Sequence, residues 1–394
     1  MTCSLSVGAK AFADNPIQLE VYAADHATYQ VVCNGSVAFR GISSGAFTVN
    51  LSEVLRGKFS DINTWVSSAT GYPYLLTPYS TTDHILPVLV TVTDSDGTTW
   101  SQQFTAVRGG IPKRLFRSME DEGTTFFAKK DVINGNFFYT VRSNGWRISI
   151  KETELDTPLM FFMPSGGTGN IDIHAFDDHS QTLTLSGTPG NLYGLDIKAI
   201  RNYFLTQYGT ICNCFRIYTE VSGPSLTLAS CIAIEQAVPS PERYLIRFRS
   251  SLGFFECIEL AGRAVMTADP ESDTEESTVS LQYDPLTDSY VNIRERQSVV
   301  ESITVPSGIK RIPEILMLRD MLASDDVRLV VDDEEWRVIP SCEELNVPLL
   351  PTEPQSYDIT LRMVEGESLT GFCFKDGSFV KPRIFTEQFT EQFM

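Results

Sequence analysis

Residues 85–107 read ILPVLVTVTDSDGTTWSQQFTAV. Two runs rich in β-branched residues flank Asp94-Ser95-Asp96-Gly97, and Gly97 supplies the positive φ that a tight turn between strands requires. The stretch is a β-hairpin, and it sets the expectation for what surrounds it. Toward the N-terminus, PIQLEVYA (16–23) and TYQVVCNG (28–35) alternate apolar and polar residues with period two, and AFTVNLSEVL (46–55) begins in the same way. Short strands separated by turn residues predict a β-sandwich over residues 1–110, ending at Arg108-Gly109-Gly110-Ile111-Pro112.

The pattern continues with one interruption. In residues 111–240, a strand, the turn Ser143-Asn144-Gly145, a second strand and the apolar run PLMFFM are followed by GNIDIHAFDDHSQTLTLSG, CFRIYTEV and SLTLASCIAIEQ, all strand-like. The interruption is a helix over about 195–208. There Leu195, Ala199 and Tyr203, with Ile200 and Phe204, recur at three and four, and Gly209 closes the run. Residues 241–394 form a third β-rich region, with an acidic loop at 268–277 and a short helix over about 314–324. After that helix, Val327–Val331 and Trp336–Ile339 are strands, joined by a solvated turn of four acids, Asp332 to Glu335. The fold class is mainly β: several β-sandwich-like domains with one or two short helices.

Composition narrows the function. The 394 residues carry a net charge of −19, which argues against a nucleic-acid binder, because that task needs clustered Lys and Arg to displace counterions. It also argues against docking on an anionic membrane. No window is apolar enough to span a bilayer, and the first residues, MTCSLSVGAKAFADNP, lack the basic and apolar regions of a secretory signal. The eight cysteines are dispersed apart from Cys212 and Cys214, a pattern of buried free thiols and not of a zinc site.

No residue set has catalytic spacing. In HAFDDH, His174 and His179 fall on opposite faces of a continuous strand, so with Asp177 and Asp178 they would ligate a metal only across a turn. PSGGTGN (164–170) lacks the Lys-Ser/Thr of a phosphate-binding loop and reads as a turn. Arg243, Arg247 and Arg249 alternate along one strand and, with Arg216, could clamp an anion, but pairing to nearby acids is the commoner arrangement. Trp65, Trp100, Trp146 and Trp336 are scattered. No catalytic, cofactor-binding or metal residue is expected, and no cofactor.

Three stretches carry a resemblance: GNFFYTVRSNGWRISIKETELDTPLMFF (135–162), ERYLIRFRSSLGFFECIELAG (242–262), and ILMLRDMLASDDVRLV (315–330) with WRVIP (336–340). Over about residues 110–365 the chain resembles tail structural proteins of phages and prophages of Bacteroides-type bacteria, of the distal tail or baseplate kind. The resemblance implies a non-enzymatic virion component, assembled in the host cytoplasm, that closes into a ring with copies of itself and contacts other tail and baseplate proteins. Its implied assembly contacts are Ile315, Leu318, Leu322 and Trp336. Phe385, Phe389 and Phe393, spaced by four in the terminal TEQFTEQF repeat, suit a short docking helix or a frayed end. A neck or tail-completion protein, a β-sandwich adhesin or carbohydrate-binding protein, and a metal- or carboxylate-dependent hydrolase are the other classes that such a sequence admits.

Overall fold

The computed structural model describes the chain except residues 60–74, 80–83, 132–136, 145, 166, 177–180, 221–225, 238–239, 241, 271–278, 295–298, 332–333, 347–354 and 365–394. The described residues form a mainly β structure of five sheets. They divide into two compact units: Met1–Ala237 with Arg249–Cys257, and Val238–Phe248 with the chain from Ile258 onward.

The first unit opens with the hairpin read from sequence. Strand Ile85–Asp94 pairs antiparallel with Thr99–Val107, in a register that sets Val88 opposite Phe104 and Leu86 opposite Ala106. Period-two alternation buries Leu86, Val88, Val90 and Val92 on one face. Each such side chain contributes about 1.5–3 kcal/mol when it leaves water. The turn is held by its own acids: Asp94 Oδ1 accepts from Ser95 N and Asp96 Oδ1 from Thr98 N, both at 2.8 Å, with Gly97 at φ 86°. These bonds to Thr98 hold the Asp96 carboxyl below its ordinary pKa.

Gln18–Cys33 lies beside Ile85–Asp94 and also pairs with Thr2–Leu5 and Ser36–Asn50. Asn34 and Gly35, both at positive φ, make the two-residue turn into Ser36–Asn50. Lys10–Phe12 adds in parallel to Thr99–Val107 and completes the six-stranded sheet. Its core is Ile17, Leu19, Val21, Val31 and the hairpin residues, covered by Leu51 and Leu55 at the short helix Ser52–Arg56.

A second core in the same unit lies among two further sheets. One has three strands in the order Leu159–Phe162, Leu192–Leu195, Leu76–Tyr79. The other has six, in the order Thr182–Ser186, Asn170–Ala175, Cys214–Glu220, Leu226–Glu235, Arg147–Lys151, Ser143–Asn144. Helix Ile197–Tyr208 starts where Asp196 Oδ1 accepts from Ala199 N at 2.8 Å, and it ends at Gly209 with φ 72°. It buries Ile197, Ile200 and Phe204. The expected turn at Ser143-Asn144-Gly145 is displaced by about a residue: Ser143 and Asn144 are themselves paired with Ile148 and Arg147. Among the described residues no strand precedes it: Phe137, Phe138 and Tyr139 are buried outside any strand, and Tyr139 N donates to Met160 O at 2.8 Å.

The second unit is built on a seven-stranded sheet in the order Phe255–Ala261, Arg243–Arg249, Val327–Val331, Glu334–Ser341, Asp358–Met363, Val299–Pro306, Val265–Pro270. Helix Ile312–Leu322 begins with Glu314 Oε2 accepting from Arg311 N at 2.9 Å. A separate hairpin, Val279–Asp284 with Ser289–Arg294, pairs only within itself among the described residues. The acidic loop at 268–277 is shorter than its composition suggests: Ala268, Asp269 and Pro270 belong to Val265–Pro270, and the rest lies outside the described residues.

Five helices appear among the described residues where one or two were expected. The additional ones are Ser52–Arg56, Lys113–Asp121 and Phe126–Asp131. They are short, and Lys113–Asp121 turns only Phe116 and Met119 toward the core, a single helical repeat too brief to stand out in a sequence.

The glycine pair at the end of the first sheet is packed inside its unit. Gly109 has φ 89°, and a Cβ there would come within 2.4 Å of Gly253 N. Gly110 N donates to Ser251 O at 2.7 Å. Gly109→Ala is expected to lower unfolding free energy by at least about 2 kcal/mol, through left-handed strain and overpacking. Gly57→Ala, at φ −72° with open space around it, is expected to be near neutral. Denaturant melts of both variants check this.

Candidate functional site

Two features of the described residues expose apolar groups in an organised way. The first is the hairpin of the second unit. Its register sets Tyr283 opposite Tyr290 and Leu281 opposite Asn292, so Leu281, Tyr283 and Tyr290 share one face. The two tyrosine rings meet at 5.5 Å between centroids. The tip is fixed by Asp284, whose oxygens accept from Leu286 N at 3.0 Å and Thr287 Oγ1 at 2.9 Å. Tyr283 OH donates to Asp288 Oδ1 at 2.5 Å, which raises the phenol pKa. Leu286 at the tip is 94% exposed, Tyr290 68% and Leu281 67%.

The second feature is strand Ser36–Asn50 of the first unit. It has 15 residues, none fully buried, and pairs on one side only among the described residues. Val37, Phe39 and Ile42 are exposed along it, and Arg40 is its one charge. An unpaired edge of that length and composition is a template for another strand.

Four of the assembly contacts expected from sequence are among the described residues. Ile315 and Leu318 are buried, Leu322 and Trp336 half-buried, and the helix that carries the first three lies against Glu334–Ser341 in its own unit. Ile315 and Leu318 are core side chains, because the apolar face of a short helix beside a sheet is what that helix has to bury. Phe385, Phe389 and Phe393 lie outside the described residues.

The arginines are matched by acids. Arg247, Arg328 and Arg337 stand directly opposite one another on three neighbouring strands. Like charges so placed repel. Glu335 relieves them: it pairs with Arg247 and receives Arg328 Nη1 at 2.8 Å, while Asp326 takes Arg328 Nε at 2.9 Å and Nη2 at 3.0 Å. Glu335 is therefore a strand residue in an ion-pair network and not part of a solvated acidic tip. Asp332 and Asp333 lie outside the described residues. Arg243 pairs with Glu259 at 3.2 Å, Arg249 stacks on Phe255 at 5.0 Å, and Arg216 stacks on Phe176 at 4.5 Å. The four do not assemble into an anion clamp.

Of HAFDDH, only His174 and its strand neighbours are described. Its ring lies 4.7 Å from Tyr218. Asp177, Asp178 and His179 lie outside the described residues, as does Gly166 of PSGGTGN. Among the described residues no group of three or more His, Cys, Asp or Glu is placed to hold a metal, and no helix is long and apolar enough to cross a membrane.

A buried polar cluster lies among the described residues that the sequence reading did not identify. Arg142 Nη1 donates to Glu154 at 2.5 Å and its Nε to Glu256 at 3.2 Å, with all three side chains buried. Glu256 also accepts from Val141 N at 2.8 Å and Thr140 Oγ1 at 3.1 Å. Burial opposes the Arg142 charge, but Glu154 and Glu256 outweigh it and raise the Arg142 pKa. Both carboxylates are committed to donors inside the fold, so the cluster is structural in character. An apolar groove of about 510 Å³, counting its open mouth, lies in the same unit between Val7, Phe12, Ile111, Phe116, Met119 and Phe127.

No family model matches the chain, and no curated protein matches it. Solved structures it is similar to include one of a 1.5-MDa bacterial ice-binding adhesin, from work on its retention at the host cell surface. That match has 11% identity, covers 76% of this chain and 88% of the other, and has a TM-score of 0.17. Another is a Ca2+-stabilised adhesin with which an Antarctic bacterium binds ice, at 9% identity over 89% of this chain and 87% of that one, TM-score 0.18. At such TM-scores the likeness establishes no shared fold.

Two predictions follow from the buried charges. Arg142→Met leaves Glu154 and Glu256 without their guanidinium and is expected to cost about 3–5 kcal/mol in a denaturant melt. Burial pushes the Lys130 pKa from 10.5 down to about 8. Between those values the unfolded chain binds the proton that the folded one has released, so stability rises with pH from about 8 to 10.5. Below pH 8 the charged, buried Lys130 imposes a constant cost on the order of 3 kcal/mol. Lys130→Met is expected to abolish that rise, read as the wild-type-minus-variant difference in unfolding free energy across the same pH range.

Proposed function

We propose that this chain is a non-enzymatic structural subunit that associates through exposed β elements, of the kind found in a ring at a phage or prophage tail tip. The observation that carries the reading is the Val279–Arg294 hairpin. A two-stranded hairpin with both faces in water is marginal by itself. This one holds Leu281, Tyr283 and Tyr290 on one face and Leu286 at an ordered tip, all exposed. Tyrosine and leucine presented in this way bind a partner surface more economically than they serve a lone monomer. The edge of Ser36–Asn50 offers a second contact of the strand-addition type. The partner in this reading is another copy of the chain, with other tail proteins above and below, inside a virion. The sequence resemblance to distal tail and baseplate components favours this setting.

The test is sedimentation of the purified chain from low to high concentration, with electron microscopy of the same samples. The expected result is concentration-dependent assembly into closed rings. Tyr290→Glu is expected to weaken association at least tenfold and leave the melting temperature unchanged, because a central tyrosine contact carries about 1–2 kcal/mol or more. A wild type that stays monomeric at every concentration and binds an oligosaccharide would replace this reading with the adhesin or carbohydrate-binding one.

A further inference from the structure

Cys214 and Cys231 lie on neighbouring central strands of the six-stranded sheet, Cys214–Glu220 and Leu226–Glu235. Arg216 is opposite Cys231 and Cys214 is opposite Ala233, so the two cysteines are diagonal neighbours on one face. The other face of these strands carries Phe215, Ile217 and Ile232, which are fully buried in the core. The two Sγ atoms are 3.6 Å apart, already in contact. A disulfide needs about 2.05 Å, so the sulfurs must close by about 1.5 Å. The right-handed twist of paired strands shortens one diagonal, and side-chain rotation can supply the remainder. Cys231 is buried, while Cys214 is partly open to solvent. Cys212 is buried too, but its thiol is turned aside and donates to the Cys214 carbonyl at 3.0 Å.

We propose that Cys214 and Cys231 form a redox-active dithiol that closes to an intramolecular disulfide when it meets a small-molecule disulfide. The accessible Cys214, as thiolate, attacks one sulfur of the oxidant. The displaced thiolate takes up the proton that Cys214 lost, and a mixed disulfide remains on Cys214. Cys231 then loses its proton and attacks Cys214 Sγ, and the second small thiol leaves carrying that proton. Two protein thiols are oxidised, and one small disulfide is reduced to two thiols. The product staples two central strands and closes the chain between residues 214 and 231, a constraint that acts mainly on the unfolded ensemble.

The experiment treats the full chain with oxidised glutathione, quenches with acid and an alkylating agent, and maps the peptides without reduction. The expected result is a linked peptide pair containing Cys214 and Cys231, two fewer alkylated thiols, and reversal by dithiothreitol. The oxidised protein is expected to melt higher than the reduced one, and Cys212→Ser is expected to behave like wild type. Cys231→Ser is expected to stop at the mixed disulfide, heavier by one glutathionyl group on Cys214. Full alkylation of both cysteines after oxidant, or a link from either to Cys212, would overturn the proposal. The wild-type mapping decides this even if a variant fails to fold.

Discussion

One guanidinium, that of Arg142, sits out of water between two carboxylates that are 12 and 114 residues away along the chain. Burying an ion pair is costly, and leaving either partner alone costs more. At this point the segment Tyr139–Arg142, the 3-10 turn Glu152–Glu154 and the start of Phe255–Ala261 are joined. The packing beside it is aromatic. Tyr139 meets Phe162 at 5.6 Å and Phe254 at 5.9 Å, so apolar area and the ion network select the same arrangement of those segments. Phe137, Phe138 and Tyr139 lie in no strand, yet they are among the buried side chains of this core, because the cluster ties down the backbone that carries them.

The same accounting of polar groups explains what remains open. Inside the sheets, main-chain groups are paired, and the arginines that face one another across strands are interleaved with Glu335 and Asp326. Where a sheet stops there is no such closure. Ser36–Asn50 keeps one unpaired edge among the described residues, and Val279–Arg294 stands by itself. Both also keep apolar or aromatic side chains in water, as scattered positions such as Ile211 and Ile309 do singly. Interior and periphery are complementary: buried arginines are answered by acids, and unpaired strands carry exposed apolar groups.

What could be read from sequence divides by the range of the interaction. The Ile85–Val107 hairpin, helix Ile197–Tyr208 with its Asp196 and Gly209 ends, and strand Val327–Val331 are each decided within a few residues by alternation, capping and turn chemistry. Those readings agree with the structure. Helix Lys113–Asp121 escaped because its core-facing stripe, Phe116 and Met119, spans a single turn. Phe137, Phe138 and Tyr139, read as strand-like, lie in no strand, because an apolar run says that residues are buried and not how their backbone pairs. Ile315 and Leu318 came as contacts from the resemblance; both are buried in their own unit, and a helical stripe by itself does not say whether it faces its own sheet or a neighbour. The Arg142 cluster had one trace in sequence, an acid inside the apolar run FFECIEL. Without a fold, nothing indicated which cation would answer it.

The net charge of −19 bears on how such a chain could associate. Copies brought side by side repel, and salt screens that repulsion over about 8–10 Å near physiological ionic strength. A contact made by charges would have to overcome this field and would weaken as salt rises. The face of Leu281, Tyr283 and Tyr290 works differently: its apolar and aromatic area is lost from water on contact, and added salt only lowers the long-range opposition. The two acids at the tip, Asp284 and Asp288, are engaged in shaping the turn that presents Leu286. Apolar contact area on an otherwise acidic molecule combines solubility of the free chain with an interface that salt strengthens.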